Sequence, residues 1–160
     1  MRKYLIAFLL LGLSFVHPQS AFGFDPREVK MRLVLERYNS PLVDLSSVLI
    51  ETAEKYDLDW TLLAAIAGTE SSFAKRMPES CINPYGWGIY GDHRICFESL
   101  EKSIMEVGEG IGTKYNTSSL LAIARTYNTV STDSWLSHTT FFMNKIKNQE
   151  IPVSALPITL

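Results

Sequence analysis

Residues 65–73, Ala-Ile-Ala-Gly-Thr-Glu-Ser-Ser-Phe, place a carboxylate at the end of an apolar run that occupies 62–67. A helix C-terminus carries partial negative charge, which disfavours the charged form of a nearby carboxyl group. Apolar neighbours such as Ile66 and Phe73 would add desolvation. Both effects raise a carboxyl pKa, and a carboxyl group that is neutral at working pH can act as a general acid. Glu70 is therefore a candidate catalytic acid, and a solvated surface Glu is the alternative.

A second segment, residues 83–92, combines aromatic rings with glycines in the order Asn-Pro-Tyr-Gly-Trp-Gly-Ile-Tyr-Gly-Asp. Tyr85, Trp87 and Tyr90 stand within six residues. Flat apolar rings can cover the C–H face of a pyranose, and glycines let backbone groups approach its hydroxyls. The same rings can instead be core residues of a small hairpin. Together with Glu70, the segment favours a glycan as ligand.

The N-terminus has the composition of an export signal. Arg2 and Lys3 precede an apolar stretch, 4–16, and Ala-Phe-Gly at 21–23 has the small-x-small form of a cleavage site. An uncleaved anchor is the alternative. Cleavage takes the formal net charge from −2 to about −4. The chain has no basic run, which argues against nucleic-acid binding. We expect a secreted, periplasmic or cell-wall-associated protein that is free of the membrane and needs no cofactor.

Two cysteines, Cys81 and Cys96, both lie in the exported part of the chain. An even pair in an oxidising compartment predicts a disulfide. A metal site is the competing interpretation, but it lacks a CxxC partner, and the intervening His93 is a lone histidine. No metal is expected.

Apolar spacing and capping residues predict six helices. They are expected at 26–38, 42–55, 60–69, from Ser99 towards glycines 108, 110 and 112 that weaken its end, 117–127, and 134–147. The third is apolar on nearly every face, so it is expected to be the buried central helix.

The predicted fold class is therefore mainly α, of an α+β type, with a small β-hairpin or loop excursion near 83–97. The cysteine pair pins this excursion. The chain divides into a signal peptide (1–23), an N-terminal helix (24–40), a main domain (41–148) and an irregular tail (149–160).

Four segments, in order, resemble the lysozyme-like superfamily of bacterial cell-wall hydrolases. They are AIAGTESSF (65–73), NPYGWGIYG (83–91), RICFESLEKSI (94–104) and ARTYN (124–128). Within that superfamily, the segments resemble those of two branches, the glucosaminidase-type peptidoglycan hydrolases and the soluble lytic transglycosylases. The resemblance covers roughly 41–146. It implies a glycosidase that cleaves the β-1,4-linked N-acetylhexosamine backbone of peptidoglycan or a related N-acetylated polysaccharide, acting as a monomer.

The resemblance also implies roles for individual residues. Glu70 would protonate the glycosidic oxygen, Asp92 matches the family's accessory acid, and Tyr127 matches the Tyr near the catalytic acid. Of the other carboxylates, Glu98 stands where the family usually carries a structural residue, and Asp133 falls in a loop after the Tyr127 helix. A single-acid mechanism, in which the substrate's N-acetyl group attacks, is also open. The residues expected to contact substrate are Ser71, Asn83, Tyr85, Trp87, Tyr90 and Asn128.

Some positions depart from the pattern of both branches. Pro84 and Trp87-Gly88 differ from the commonest forms, and Gly-Trp-Gly-Ile at 86–89 replaces the Gly-Leu-Met-Gln of lytic transglycosylases. The bond cleaved and the product, hydrolytic or anhydro, therefore stay open. A non-catalytic glycan-binding module on the same fold is the main alternative, and an inert structural or inhibitory protein is a third.

Overall fold

A computed structural model describes residues 24–78, 80–89, 91 and 93–156. Six α-helices make up most of this part: α1 (Pro26–Arg37), α2 (Ser46–Lys55), α3 (Leu62–Ser71), α4 (Leu100–Lys114), α5 (Leu120–Tyr127) and α6 (Thr132–Lys147). Short 3-10 turns lie at Val43–Leu45 and Val153–Ala155. The prediction of a mainly helical chain is confirmed. The predicted signal segment, 1–23, lies outside the described residues.

Side-chain caps begin three of the helices. Asp25, Ser99 and Ser119 each accept a hydrogen bond from a backbone N–H two or three residues further on, at 2.8–3.1 Å. These bonds satisfy N–H groups that the first turn of a helix leaves free. The cap at Ser119 makes α5 start three residues later than expected from the apolar spacing. Within the described chain, no helix is long and apolar enough to cross a membrane.

Most of α3 is buried, namely residues 62–68 and Ser71. This helix packs mainly against α6, while α4 packs against α2 and α5 against α6. The buried side chains of α1 join the same hydrophobic core. Segments 24–40 and 41–148, which the sequence divides, therefore share one core.

Helix α4 does not weaken at its three glycines and continues to Lys114. Each glycine is a point of close packing. An ideal Cβ on Gly110 would lie 2.5 Å from Cζ2 of Trp87, and on Gly108 and Gly112 it would lie 2.4 and 2.6 Å from side chains at the end of α2. Since a Cβ would clash at each position, these glycines bring neighbouring elements close to α4.

The excursion between α3 and α4 is tied at its base. The predicted disulfide between Cys81 and Cys96 is confirmed, with the two Cα atoms 4.9 Å apart. Beside it, Ile82 and Phe97 form an isolated antiparallel bridge, in which the Phe97 N–H donates to the Ile82 carbonyl at 2.9 Å.

No extended strand is present among the described residues of this excursion, which are turns, irregular backbone and single bridge residues at 82, 93 and 97; Tyr90 and Asp92 of the expected hairpin lie outside them, so the hairpin stays a prediction. The side chain of Asn83 bonds backbone groups of this loop. Its Nδ2 donates to the carbonyls of Trp87 (2.8 Å) and Ile95 (2.9 Å), and its Oδ1 accepts from the Trp87 N–H at 3.0 Å. An Asn side chain that bonds its own loop competes with regular sheet pairing.

Candidate active site

Helix α3 ends in an unusual turn immediately after Glu70 and Ser71. Ser72, Phe73 and Ala74 all have left-handed backbones, with φ of 54°, 60° and 65°. Each such conformation costs a non-glycine residue roughly 1 kcal/mol or more. Burial of the Phe73 ring in the core and a bond from its N–H to the Ala67 carbonyl at 2.9 Å offset this strain. The turn stops the helix and leaves Glu70 in its last turn.

Ser71 connects the end of α3 to the aromatic-glycine loop. Its hydroxyl lies 2.7 Å from the carbonyl oxygen of Pro84 and 3.0 Å from that of Ala67, and it accepts a bond from the Ala74 N–H at 2.9 Å. The residue is buried, so the expected substrate contact is replaced by a positioning role. Ser71 holds the loop beside its neighbour Glu70.

One oxygen of the Glu70 carboxyl group accepts a hydrogen bond from another helix. The indole Nε1–H of Trp135, from α6, donates to Oε1 at 2.7 Å. Although the residue as a whole is exposed, partial desolvation of the carboxyl raises the pKa of Glu70. The bond from Trp135 favours the charged form and opposes this effect, and desolvation is the larger influence. The direction of the shift is the one expected for a general acid.

The second oxygen of Glu70 faces Gly86. An ideal Cβ built on Gly86 would lie 3.3 Å from Oε2 of Glu70. Gly86 also has a left-handed backbone, with φ of +60°, which disfavours other residues. A glycine is therefore favoured at position 86 for two reasons: it adopts the left-handed backbone of the turn, and it leaves space next to the carboxyl group of Glu70.

Four aromatic rings, from α5, α6, the residue after α4 and the loop, form a cluster, and one of them, Trp135, bonds this carboxyl. Tyr127 stacks on Trp135 with ring centroids 4.9 Å apart, and Trp87 stacks on Tyr115 at 5.6 Å. Trp87 and Tyr127 join the two pairs, with centroids 5.9 Å apart. Burial, and next the charge of Glu70, raise the pKa of the Tyr127 phenol well above its usual range. The rings therefore form a continuous wall from Trp135 to Tyr115.

Tyr127 is fixed by a hydrogen bond to the loop. Its hydroxyl donates to the backbone carbonyl of Tyr85 at 2.7 Å. The ring of Tyr85 itself is fully buried, so it belongs to the core and not to a sugar-stacking wall. Burial raises the pKa of its phenol, and the hydroxyl has no hydrogen-bond partner among the described residues.

An open groove of about 420 Å³ runs along the aromatic wall. It lies between the loop, the C-terminal ends of α4 and α5, and the residues that follow α5. Its lining residues are Gly86, Trp87, Gly88, Ile89, Ile95, Lys114, Tyr115, Thr126, Tyr127 and Thr129. Glu70 is not itself part of this lining, but its Oε2 faces Gly86, which is, since an ideal Cβ on Gly86 would lie 3.3 Å from that oxygen.

The remaining predicted residues fall into two groups. Asn83 is buried and holds the loop, and Asn128 accepts a bond from the Ser131 N–H at 2.8 Å, which shapes the turn into α6. Tyr90 and Asp92 lie outside the described residues, so their predicted roles stay predictions. Of the expected substrate contacts, Trp87 lines the groove.

The other candidate carboxylates are not at the groove. Glu98 and Asp133 are exposed, and the described lining contains no carboxylate; Glu70 is related to it through Gly86, whose ideal Cβ would lie 3.3 Å from Oε2 of Glu70. Within the described ranges, Glu70 is therefore the carboxylate that combines a raised pKa with a position beside the aromatic wall.

Sequence reasoning missed three contributions to this site. Trp135 belongs to no motif of the sequence; a buried indole N–H needs an acceptor, but its spacing from Glu70 gives no hint of which one. Tyr115 carried no motif. Gly110 was interpreted as a helix weakness, whereas a mid-helix glycine is also a signal of close approach, here by Trp87.

A second depression, of about 470 Å³, lies at the C-terminal ends of α1 and α6. It contains none of the residues predicted for the site. Among the described residues, no group of three or more His, Cys, Asp or Glu side chains is placed to hold a metal ion.

Comparisons of the chain with protein-family models, with curated proteins and with solved structures give no match. The functional interpretation of this site therefore rests on its own geometry and on the motifs of the sequence.

Proposed function

We propose that this protein is an exported glycosidase that cleaves the β-1,4-linked N-acetylhexosamine backbone of peptidoglycan, with Glu70 as the general acid. The observation that carries the proposal is the placement of Glu70. Its carboxyl has a raised pKa and faces Gly86, which lines a groove walled by aromatic rings.

In the proposed reaction, Glu70 transfers its proton to the glycosidic oxygen as the C1–O bond breaks, and it becomes a carboxylate. The same carboxylate then takes a proton from the nucleophile that completes the reaction, which is water for hydrolysis or a sugar hydroxyl for an anhydro product. A raised pKa suits the first step, because the acid must be protonated at working pH.

The groove suits a polymer of pyranose rings. Trp87, Tyr115 and Tyr127 offer ring faces for sugar stacking, and the threonines and glycines of the lining offer polar side chains and accessible backbone. Lys114 is the charged residue of this lining, and it has no salt-bridge partner within the described part of the chain. A free cation favours an anionic glycan such as peptidoglycan, with its lactyl and stem-peptide carboxylates, over neutral chitin.

The second reacting group has two candidates. Asp92 is the accessory acid that the sequence motif implies, and the substrate's own N-acetyl group is the other. Asp92→Asn separates them, because the variant loses activity if Asp92 stabilises the reacting centre and keeps it if the N-acetyl group does so.

The decisive experiment is Glu70→Gln, assayed by the clearing of purified cell-wall sacculi and by mass spectrometry of the released fragments. Gln can still accept the Trp135 hydrogen bond, so the fold is expected to persist. Loss of a general acid lowers the rate by about 10²- to 10⁴-fold. Glu106→Gln, an exposed carboxylate on α4, is the matched control and should retain activity. Equal clearing by Glu70→Gln would refute the proposal.

The main alternative is a glycan-binding module. The groove and its rings support binding as well as catalysis, but a module that only binds has no use for a carboxyl with a raised pKa. Binding of sacculi without release of reducing or anhydro ends would establish the alternative.

The finer fold and the location belong to the same proposal. We infer a lysozyme-like domain with α3 as its central helix, active as a monomer outside the cytoplasmic membrane after cleavage near Gly23. The mass of the exported protein tests the cleavage, and light scattering tests the oligomeric state.

A further inference from the structure

The hydrogen bond from Trp135 distinguishes the two oxygens of Glu70. An indole N–H can only donate, and Trp135 is buried, so its N–H requires the acceptor that Oε1 provides at 2.7 Å. In a neutral carboxyl group, one oxygen is a carbonyl and the other carries the hydrogen. The carbonyl oxygen is the better acceptor, which assigns it to Oε1 and the acidic hydrogen to Oε2.

The position of Oε2 agrees with this assignment. This oxygen faces Gly86, whose missing side chain leaves it uncovered, and Gly86 is itself part of the groove lining. The oxygen that Trp135 leaves free is therefore the one on the side of the groove.

Trp135 is in turn held by its surroundings. Its ring stacks on Tyr127 with an interplanar angle of 28°, and the Tyr127 hydroxyl is bonded to the carbonyl of Tyr85. This chain of contacts runs from the loop through α5 and α6 to the carboxyl at the end of α3. Each member restricts the rotation of the next, so the carboxyl plane has little freedom to turn.

We propose that Trp135 is a positioning residue, which engages Oε1 of Glu70 so that Oε2 donates the proton to a substrate in the groove. The inference deepens the proposed function and rests on it for the identity of the substrate. The bond itself can be tested without any substrate.

The first test follows the three indole N–H resonances of ¹⁵N-labelled protein through a pH titration. The Trp135 resonance should shift with the ionisation of Glu70, and this shift should vanish in Glu70→Gln. The resonances of Trp60 and Trp87 should not follow it. If the chemical shift of the Trp135 indole N–H does not change with the ionisation of Glu70, the inference is overturned, whether or not the protein is an enzyme.

The second test removes the donor. Trp135→Phe keeps an aromatic ring against Tyr127 but cannot donate to Oε1. Trp60→Phe is the matched control, since Trp60 lies near the end of α3 opposite to Glu70, about 15 Å from it by the rise of an α-helix.

The titration of ¹³C-labelled Glu70 should move to higher pH in Trp135→Phe, because the lost bond favoured the charged carboxylate. The phenols of Tyr127, Tyr85 and Tyr115 are the other titratable groups of this cluster, and both variants retain them. An unchanged titration midpoint in folded Trp135→Phe would contradict the inference.

With sacculi as substrate, the alkaline limb of the activity–pH profile of Trp135→Phe should also move to higher pH. Its activity at the optimum pH should fall about ten- to a hundredfold, because Oε1 becomes free to rotate towards the substrate. If wild-type protein clears no sacculi, the proposed function fails while the resonance tests still decide the role of Trp135. If Trp135→Phe matches Trp60→Phe in both the level and the pH profile of activity, the positioning role is refuted.

Discussion

Gly86→Ala tests the geometry at Oε2 with a control from the same loop. The new methyl group would lie 3.3 Å from Oε2 of Glu70, whereas a methyl group on Gly91 would meet no atom of the described residues within 4 Å. The two glycines have nearly the same left-handed backbone, with φ of +60° and +57°. Gly91→Ala therefore reproduces the backbone strain of Gly86→Ala without the contact.

The expected effect on stability is small and equal for the two variants. A left-handed alanine costs roughly 1–2 kcal/mol, and the loss of glycine's freedom in the unfolded chain returns about 0.4–1 kcal/mol. Both substitutions should lower the free energy of unfolding by about 1 kcal/mol, measured by urea denaturation. A much larger loss in only one of them would show that the two turns are not comparable.

The expected effect on activity is unequal. A proton donor must come within about 2.6–3.2 Å of the atom that it protonates. A methyl group against Oε2 obstructs that approach and displaces the carboxyl by a few tenths of an ångström. Clearing of sacculi by Gly86→Ala should fall about ten- to a hundredfold, while Gly91→Ala stays near wild type. Equal activity of the two variants would refute the assignment of Oε2 as the reactive oxygen.

Three further predictions follow from the same contacts. Tyr85→Phe should raise the free energy of unfolding by about 1 kcal/mol, because it removes a buried hydroxyl without a partner among the described residues; a loss in urea denaturation would reveal a hidden partner. The raised pKa of Glu70 stabilises the fold most below its unfolded value of about 4.5, and this contribution is lost as pH rises through the folded pKa. Glu70→Gln should therefore melt higher than wild type near pH 7, and the difference should shrink towards pH 3.5; a constant difference would contradict the shift. Reduction of Cys81–Cys96 should lower stability by roughly 3 kcal/mol through loop entropy and weaken activity while far-UV dichroism stays helical; full activity after verified reduction would show that the groove does not need the bridge.

Local patterns were sufficient for much of the helical framework. Asp25 and Ser99 cap helices where their position predicted, since a cap depends only on the next three residues. The boundaries of α3 moved by two residues because its end is set by the left-handed turn at 72–74, and core packing of Phe73 holds that turn. No local rule predicts three strained residues in succession.

The candidate site was predictable only in part. The carboxyl of Glu70 and its raised pKa were expected from the apolar helix end, and Trp87 was expected at a ligand surface. Tyr85 was wrong as a stacking residue, because its ring fills the core beneath the loop. Asn83, expected to contact substrate, is buried and bonds the backbone of its own loop instead.

By itself, then, the sequence determined most of the helices and the disulfide and indicated Glu70 as the candidate acid, since each of these follows from composition or from neighbours along the chain. Only the tertiary structure decided which oxygen of Glu70 is free. Its partner Trp135 lies 65 residues away, and contacts at that separation depend on how α3 and α6 pack. The same holds for the aromatic wall, whose rings come from the residue after α4, from α5, from α6 and from the loop, and meet only in the folded chain.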